Sequence, residues 1–220
     1  MIERSIAVMA HGRYLVVPPA SLGPAPVVVG FHGYAEGAEA QLERLRAIPG
    51  ADRWRLVSIQ GLHRFYQRRT NEVVAGWMTR QDRELAIADN LAYVAGVIEA
   101  VGREWPGASR VVLAGFSQGV AMTFRAAAAA AGRVDGVIAV GGDVPPELDA
   151  AALAQIPAAL VCRGARDEFY APATFDNDVR RLREAGADVR PVLFEGGHEW
   201  SDDVVRAASV FLHERYAGEP

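Results

Sequence analysis

Three residues of this chain have the types, neighbours and order that nucleophilic catalysis needs. Gly115-Phe116-Ser117-Gln118-Gly119 directly follows the apolar run Val111–Ala114 and directly precedes a helical stretch. It matches G-x-S-x-G in the strand–turn–helix context that the pattern requires. A serine on so sharp a turn takes a strained backbone, and the two glycines remove Cβ atoms that would collide there. Ala121 is small enough for the crowded first turn of the helix. A serine hydroxyl is a weak nucleophile until a base removes its proton. His198, which follows an apolar run and Gly196-Gly197, is the candidate base. The other histidines have plainer readings: His11 in a turn, His32 as a brace for its own loop, His63 in a long loop and His213 in the last helix. Asp167, after the run Ala159–Cys162 and Arg163-Gly164, is the candidate acid that orients the imidazole. The order Ser117, Asp167, His198 suits this kind of turn. Asp143 also follows a strand end and is the runner-up, with Glu168 a weaker rival.

The chemistry such a set performs is acyl transfer, in which negative charge develops on a carbonyl oxygen and needs donors aimed at it. The backbone N–H of Gln118 is one expected donor, and that of Tyr34, in the loop after Val27–Phe31, is the other. Gly33, Phe116 and Trp77 are the expected substrate contacts, with Trp77 walling an apolar groove for short to medium acyl chains. A histidine base acts when neutral, so kcat/KM should rise with pH through the ordinary histidine range of about 6–7.

These residues need strand ends to hold them. Val27–Phe31, Leu56–Ile59, Val111–Ala114, Gly136–Val140, Ala159–Cys162 and Val189–Phe194 read as strands, mostly buried on both faces. The last carries Arg190 and Pro191 and belongs nearer an edge. Helices fall between them at Glu36–Ala47, Asp82–Glu104, Gln118–Ala131, Ala171–Ala185 and Asp202–Tyr216. In the second of these, Leu85, Ala88, Leu91, Val94, Ile98 and Val101 mark the apolar face. Ser5–Met9 and Arg13–Val17 around His11-Gly12 predict an antiparallel hairpin at the N-terminus. The alternation predicts an α/β fold with a mostly parallel sheet and helices on both faces. In such sheets ligands bind beyond the carboxyl ends of the strands, and His32, Ser117, Asp143, Asp167 and His198 all fall there. The connection from Gly142 to Pro157 leaves room for one small helix but no large lid. The stretch Gly61–Arg80 is long for a connection and holds Arg64, Arg68 and Arg69, read as solvated.

Composition bounds the rest. With 220 residues, half of them hydrophobic, the chain can bury one sizeable core, and it is read as one domain over residues 1–220. A net charge of −4 gives no electrostatic reason to bind nucleic acid. No run of about 20 apolar residues predicts a membrane span. The single cysteine, Cys162, is expected in the core, and no disulfide framework is possible. No H-E-x-x-H or similar spacing suggests a metal. The expectations are a cytoplasmic enzyme that acts on a small molecule, with a homodimer among the assemblies allowed.

Phe31-His32-Gly33, Gly76-Trp77, Gly115–Gly119, Gly164–Asp167 and Gly196–Trp200, spread over nearly the whole chain, resemble the carboxylesterase/phospholipase family of α/β-hydrolases. The resemblance implies hydrolysis of carboxylic esters or thioesters without metal or organic cofactor. A thioesterase or lysophospholipase with the same three residues is the alternative, and a non-catalytic binding protein on this fold is the rival of another class. The family often has a second glycine soon after its His-Gly, where this chain has Ala35.

Overall fold

The structure is a computed structural model that describes residues 1–21, 23–108, 110–130 and 132–216. Its strands are β1 (Arg13–Val17), β2 (Val27–Phe31), β3 (Arg55–Gln60), β4 (His63–Tyr66), β5 (Val73–Gly76), β6 (Val111–Phe116), β7 (Gly136–Val140), β8 (Ala158–Gly164) and β9 (Asp188–Phe194). Its α-helices are α1 (Ala38–Arg46), α2 (Arg83–Glu104), α3 (Gln118–Ala129), α4 (Ala150–Leu153), α5 (Pro172–Glu184) and α6 (Asp202–Tyr216). The main sheet has the order β1-β3-β2-β6-β7-β8-β9. All its pairings are parallel except that of β1 with β3.

The side-chain alternation of a strand explains how a sheet of apolar runs is covered on both faces. Val27, Val29 and Phe31 of β2 pack with residues of α2, α3 and α5, whereas Val28 packs with residues of α1 and α6. Every central strand is buried along most of its length. β9 lies at the edge, where no further strand needs the N–H that Pro191 lacks. Between β7 and β8 the only helix is the four-residue α4, so no large lid stands over the sheet.

Three expectations are corrected. The antiparallel element at the N-terminus exists, but Arg13–Val17 pairs with β3, from Arg13↔Gln60 to Val17↔Leu56. Ser5–Met9 forms no strand, and Ile6, Val8 and Met9 are exposed. β3 is buried throughout and offers β1 more apolar surface than Ser5–Met9 could. Residues 61–80 do not form a plain loop, because β4 and β5 pair as a separate antiparallel ribbon, Phe65 opposite Val74. The buried face of α2 is Ala86, Asn90, Val94, Val97 and Val101, with Leu85 half exposed. A satisfied polar residue, Asn90, occupies the core stripe and shifts the apparent apolar face. By length and composition alone α2 could cross a membrane, but here Val94, Val97 and Val101 lie in the core. The predicted end of α3 at Ala131 and the domain's last residues, 217–220, lie outside the described residues.

Candidate active site

Ser117 caps α3 with φ 51° and ψ −123°, a strained conformation for a residue with a Cβ. The turn is held by its N–H, which donates to the Val140 carbonyl at 2.9 Å. The need for glycine on either side is steric. A Cβ on Gly115 would lie 2.3 Å from Thr123 Oγ1, and one on Gly119 would lie 2.2 Å from the Phe31 carbonyl oxygen. The helix start and the β2 backbone are therefore in direct contact beneath the serine.

His198 stands on the turn after β9 and Asp167 on the turn after β8. Ser117 Oγ is 2.8 Å from His198 Nε2, and His198 Nδ1 is 2.9 Å from Asp167 Oδ2 and 3.1 Å from Oδ1. Asp167 is buried, and its Oδ1 also accepts from the backbone N–H groups of Phe169 (2.9 Å) and Tyr170 (3.0 Å). Burial alone would raise its pKa. The Tyr170 N–H, the imidazole and the Phe169 N–H outweigh that and hold the carboxyl below its ordinary value. The imidazole packs between two aromatic rings, Phe116 at 5.1 Å and Phe169 at 4.8 Å. The three residues singled out from sequence thus form one hydrogen-bonded chain. Asp143 is exposed and outside it. Glu168 is also exposed.

The loop after β2 comes up to the serine from the other side. His32 is fully buried, and burial holds its pKa below the ordinary histidine value. Its Nε2 accepts the Gly61 N–H at 3.0 Å and its Nδ1 lies 2.7 Å from the Gly33 carbonyl, so a neutral ring with the proton on Nδ1 satisfies both. Glu36 Oε2 accepts the Gly33 N–H at 2.8 Å, and both Glu36 oxygens take hydrogen bonds from Arg44 at 2.6 Å. Ala35, at the position where the resembling family often has glycine, has φ 59° in the left-handed region. Among the described residues, neither the Tyr34 N–H nor the Gln118 N–H has an intramolecular acceptor. For Gln118 this is the ordinary state of a first helical residue. The Tyr34 ring itself is exposed and stacks on Phe65 at 5.5 Å.

Of the expected substrate contacts, Trp77 is corrected, while Phe116 and Gly33 lie beside the reacting residues. Trp77 is fully buried, its indole N–H donates to the His32 carbonyl at 2.8 Å, and its ring packs on Phe31 and His32. Phe116 lies under the Arg44 guanidinium, 4.1 Å from the ring centre, and Gly33 is buried with its N–H engaged. Trp77 braces the His32 loop and Phe116 packs on the imidazole, whereas a Cβ on Gly33 would lie 3.3 Å from Ser117 Cβ. The open cleft beside Ser117 and His198, of about 380 Å³, is lined instead by Met78, Arg83, Ala121, Arg125, Pro145 and Phe169 among others. Sequence reading placed none of Arg83, Ala121, Arg125 or Phe169 in the cleft. The signal for two of them was the helical spacing from Gln118 to Ala121 and Arg125. Gln118 also ties the cleft's rim together: its side-chain oxygen accepts the Trp77 N–H at 2.8 Å and its Nε2 donates to the Met78 carbonyl at 3.2 Å. Cys162 is wholly buried and its thiol is pushed up by burial. Among the described residues no three His, Cys, Asp or Glu side chains gather where they could share a metal ion.

The chain's likeness to known proteins agrees with this architecture. A solved carboxylesterase from Bacillus cereus superposes with TM-score 0.74 at 14% identity, over 94% of this chain and 95% of that one. An acyl-protein thioesterase 2 from Zea mays gives TM-score 0.74 at 16% identity, over 93% and 99%. A phospholipase/carboxylesterase from Dyadobacter fermentans gives 0.69 at 19%, over 93% and 97%. No curated protein matches the chain in sequence. The sequence model of the Phospholipase/Carboxylesterase family matches residues 13–215. With that match over nearly its full length, on an α/β-hydrolase fold, the chain belongs to the phospholipase/carboxylesterase family of hydrolases.

Proposed function

We propose that the protein is a serine esterase that cleaves carboxylic esters of short to medium acyl groups through Ser117, His198 and Asp167. The reading rests chiefly on the continuous chain from Ser117 Oγ to His198 Nε2 (2.8 Å) and from Nδ1 to Asp167 Oδ2 (2.9 Å). His198 takes the hydroxyl proton as Ser117 attacks the ester carbonyl. The backbone N–H groups of Tyr34 and Gln118 receive the negative charge that forms on the carbonyl oxygen. The imidazolium gives its proton to the leaving alcohol, and the acyl group stays on Ser117. Water then attacks, His198 again serving as base, and the carboxylic acid departs. Asp167 keeps the imidazole in the tautomer with its proton on Nδ1 and supports its charged form. The open cleft, walled by Arg83 and Arg125 as well as Met78 and Pro145, favours a short acyl group over a fatty one.

A fluorophosphonate should label the protein once, with the adduct on Ser117 by mass spectrometry. A label on any other residue, or esterase activity retained in Ser117→Ala, would overturn the reading.

A further inference from the structure

α3 runs away from Ser117, and Ala121 and Arg125, four and eight residues on, line the same cleft. The rise of a helix puts the Arg125 Cα about 12 Å along the axis from Ser117, and its side chain leans back toward the helix N-terminus. The guanidinium is buried, with the side chain only 3% exposed. Nε donates to Glu147 Oε1 at 2.8 Å and Nη2 bonds the same oxygen. Among the described residues Nη1 finds no oxygen, and its one partner there is the Met78 Sδ at 3.9 Å. A thioether is a weak acceptor, so a buried, charged donor is left short of a partner.

Arg83, the first residue of α2, lines the same cleft, is exposed and has no carboxylate within ion-pair distance among the described residues. Its charge acts on Glu147, which places it at the Arg125 end. Across the cleft stands Asp143, near enough to Tyr170 and Asp178 to act on both. The Arg125–Glu147 pair is internally balanced, so the α2–α3 wall carries one positive charge in excess and the opposite wall one negative charge. The two are unequal as binding groups. Asp143 is exposed and solvated, whereas Arg125 Nη1 is shielded from water and gains most from an incoming oxygen.

The geometry points to esters whose acyl part ends in a second carboxylate, held by Arg83 and by Nη1 of Arg125. This deepens the esterase reading and rests on it. The distance along α3, less the reach of the arginine, leaves room for an acyl group of the succinyl or glutaryl kind. Water supplies the oxygen of the new carboxyl group, and the products are the dicarboxylic acid and the alcohol.

The test compares two p-nitrophenyl esters of glutaric acid, one with the far carboxylate free and one with it blocked as the methyl ester. Wild type should give the higher kcat/KM for the free acid. Arg83→Gln should lower the ratio of the two on the order of 10-fold, the worth of one charge-assisted hydrogen bond. Asp143→Asn should raise the ratio, and added salt should lower it in wild type. A wild-type ratio at or below one, or a ratio untouched by Arg83→Gln, would overturn the proposal. So would a preference for a 4-aminobutyryl ester, which would move recognition to Asp143. Hydrolysis of the blocked ester with a flat ratio leaves the esterase reading intact, whereas failure of both esters together with no phosphonate label on Ser117 removes the reading itself.

Discussion

The turns that carry Asp167 and His198 are held by bonds that close within a few residues of two adjacent strand ends. Asp167 Oδ1 takes the N–H groups of Phe169 and Tyr170, Arg166 N–H donates to the Gly196 carbonyl, and Ala165 N–H to the Phe194 carbonyl. Residues 61–80, on the other side of Ser117, are held by side chains that come from far along the chain. Asn90 of α2 donates to the Trp77 carbonyl at 2.9 Å and accepts the Leu62 N–H at 3.3 Å. His32 accepts the Gly61 N–H, and Gln118 clamps Trp77 and Met78. A strand-end turn therefore carries its own support, and a residue in it acts where its strand puts it. Beyond its own β4–β5 pairing, the 61–80 excursion is fixed by three distant parts of the chain: the turn after β2, α2 and α3. Damage to the first region should appear as lost catalysis in a folded protein. Damage to the second should appear first as lost stability.

The largest expected effect tests the first half of that contrast. Asp167→Asn should lower kcat by ~10³–10⁴-fold, because an amide leaves the imidazole in the wrong tautomer and its charged form unsupported. Asp143→Asn should cost at least an order of magnitude less, since among the described residues the imidazole bonds Asp167 and Ser117 and not Asp143. Steady-state kinetics on both variants, with circular dichroism to show that each is folded, checks the ranking. Equal losses would mean that the two acids share the role.

The second half is tested at Trp77. Replacing it with Ala removes a fully buried indole and leaves the His32 carbonyl without its donor. Large aromatic-to-alanine changes of this kind cost about 3–5 kcal/mol. Urea unfolding should show a loss of that order, while the ranking of esters by chain length stays as in wild type. A changed ranking with little loss of stability would return Trp77 to the substrate and weaken the contrast between the regions.

The same contrast explains what the sequence made legible. Strand-end turns leave local marks: an apolar run, a glycine, then Ser117, Asp167 or His198. Each mark needs only its neighbours to be read, and the fold rule for such sheets gathers them on one edge. The core strands were legible for the same reason. The β4–β5 ribbon was not, because the six residues that join it, 67–72, carry no two-residue turn signal. Its residues also alternate poorly, with Tyr66 and Val73 exposed. Trp77 was misplaced in the cleft because a tryptophan near a candidate serine suits both core and pocket by type. What decides is Asn90, thirteen residues on, whose bond to the Trp77 carbonyl is a three-dimensional fact. Arg125 was hidden for a related reason: a charged residue in an alanine-rich helix reads as solvent-facing, whereas Glu147 from a distant loop makes its burial possible.

The smallest expected effect lies in how two buried carboxylates, in adjacent supports of the same cleft, respond to acid. Asp167 is held below its ordinary pKa despite its burial, by its N–H donors and the imidazole. Its folded value lies under the unfolded one of about 3.9, so its contribution to stability is complete above roughly pH 4 and is lost as pH falls through the depressed folded value. Asp178 is the opposite case. Burial raises it, more than the Val144 N–H (3.0 Å) and the Tyr170 hydroxyl (3.0 Å) lower it, and Asp143 adds to the rise. The folded protein binds that proton more tightly than the unfolded chain. Ionised Asp178 therefore costs stability above its raised value, and the cost is relieved as pH falls from there toward about 3.9. An asparagine at 178 keeps an oxygen for both donors and carries no charge. Urea unfolding of Asp167→Asn and Asp178→Asn beside wild type, from pH 7 down to pH 3, should show two differences of opposite sense. The stability advantage of wild type over Asp167→Asn should shrink only at the acid end, below about pH 4. Asp178→Asn should be at its best relative to wild type at pH 7 and lose that edge before pH 4. Parallel curves for wild type and Asp178→Asn would mean that the carboxylate is paired well enough, with Arg181 at 3.7 Å, to cancel its burial.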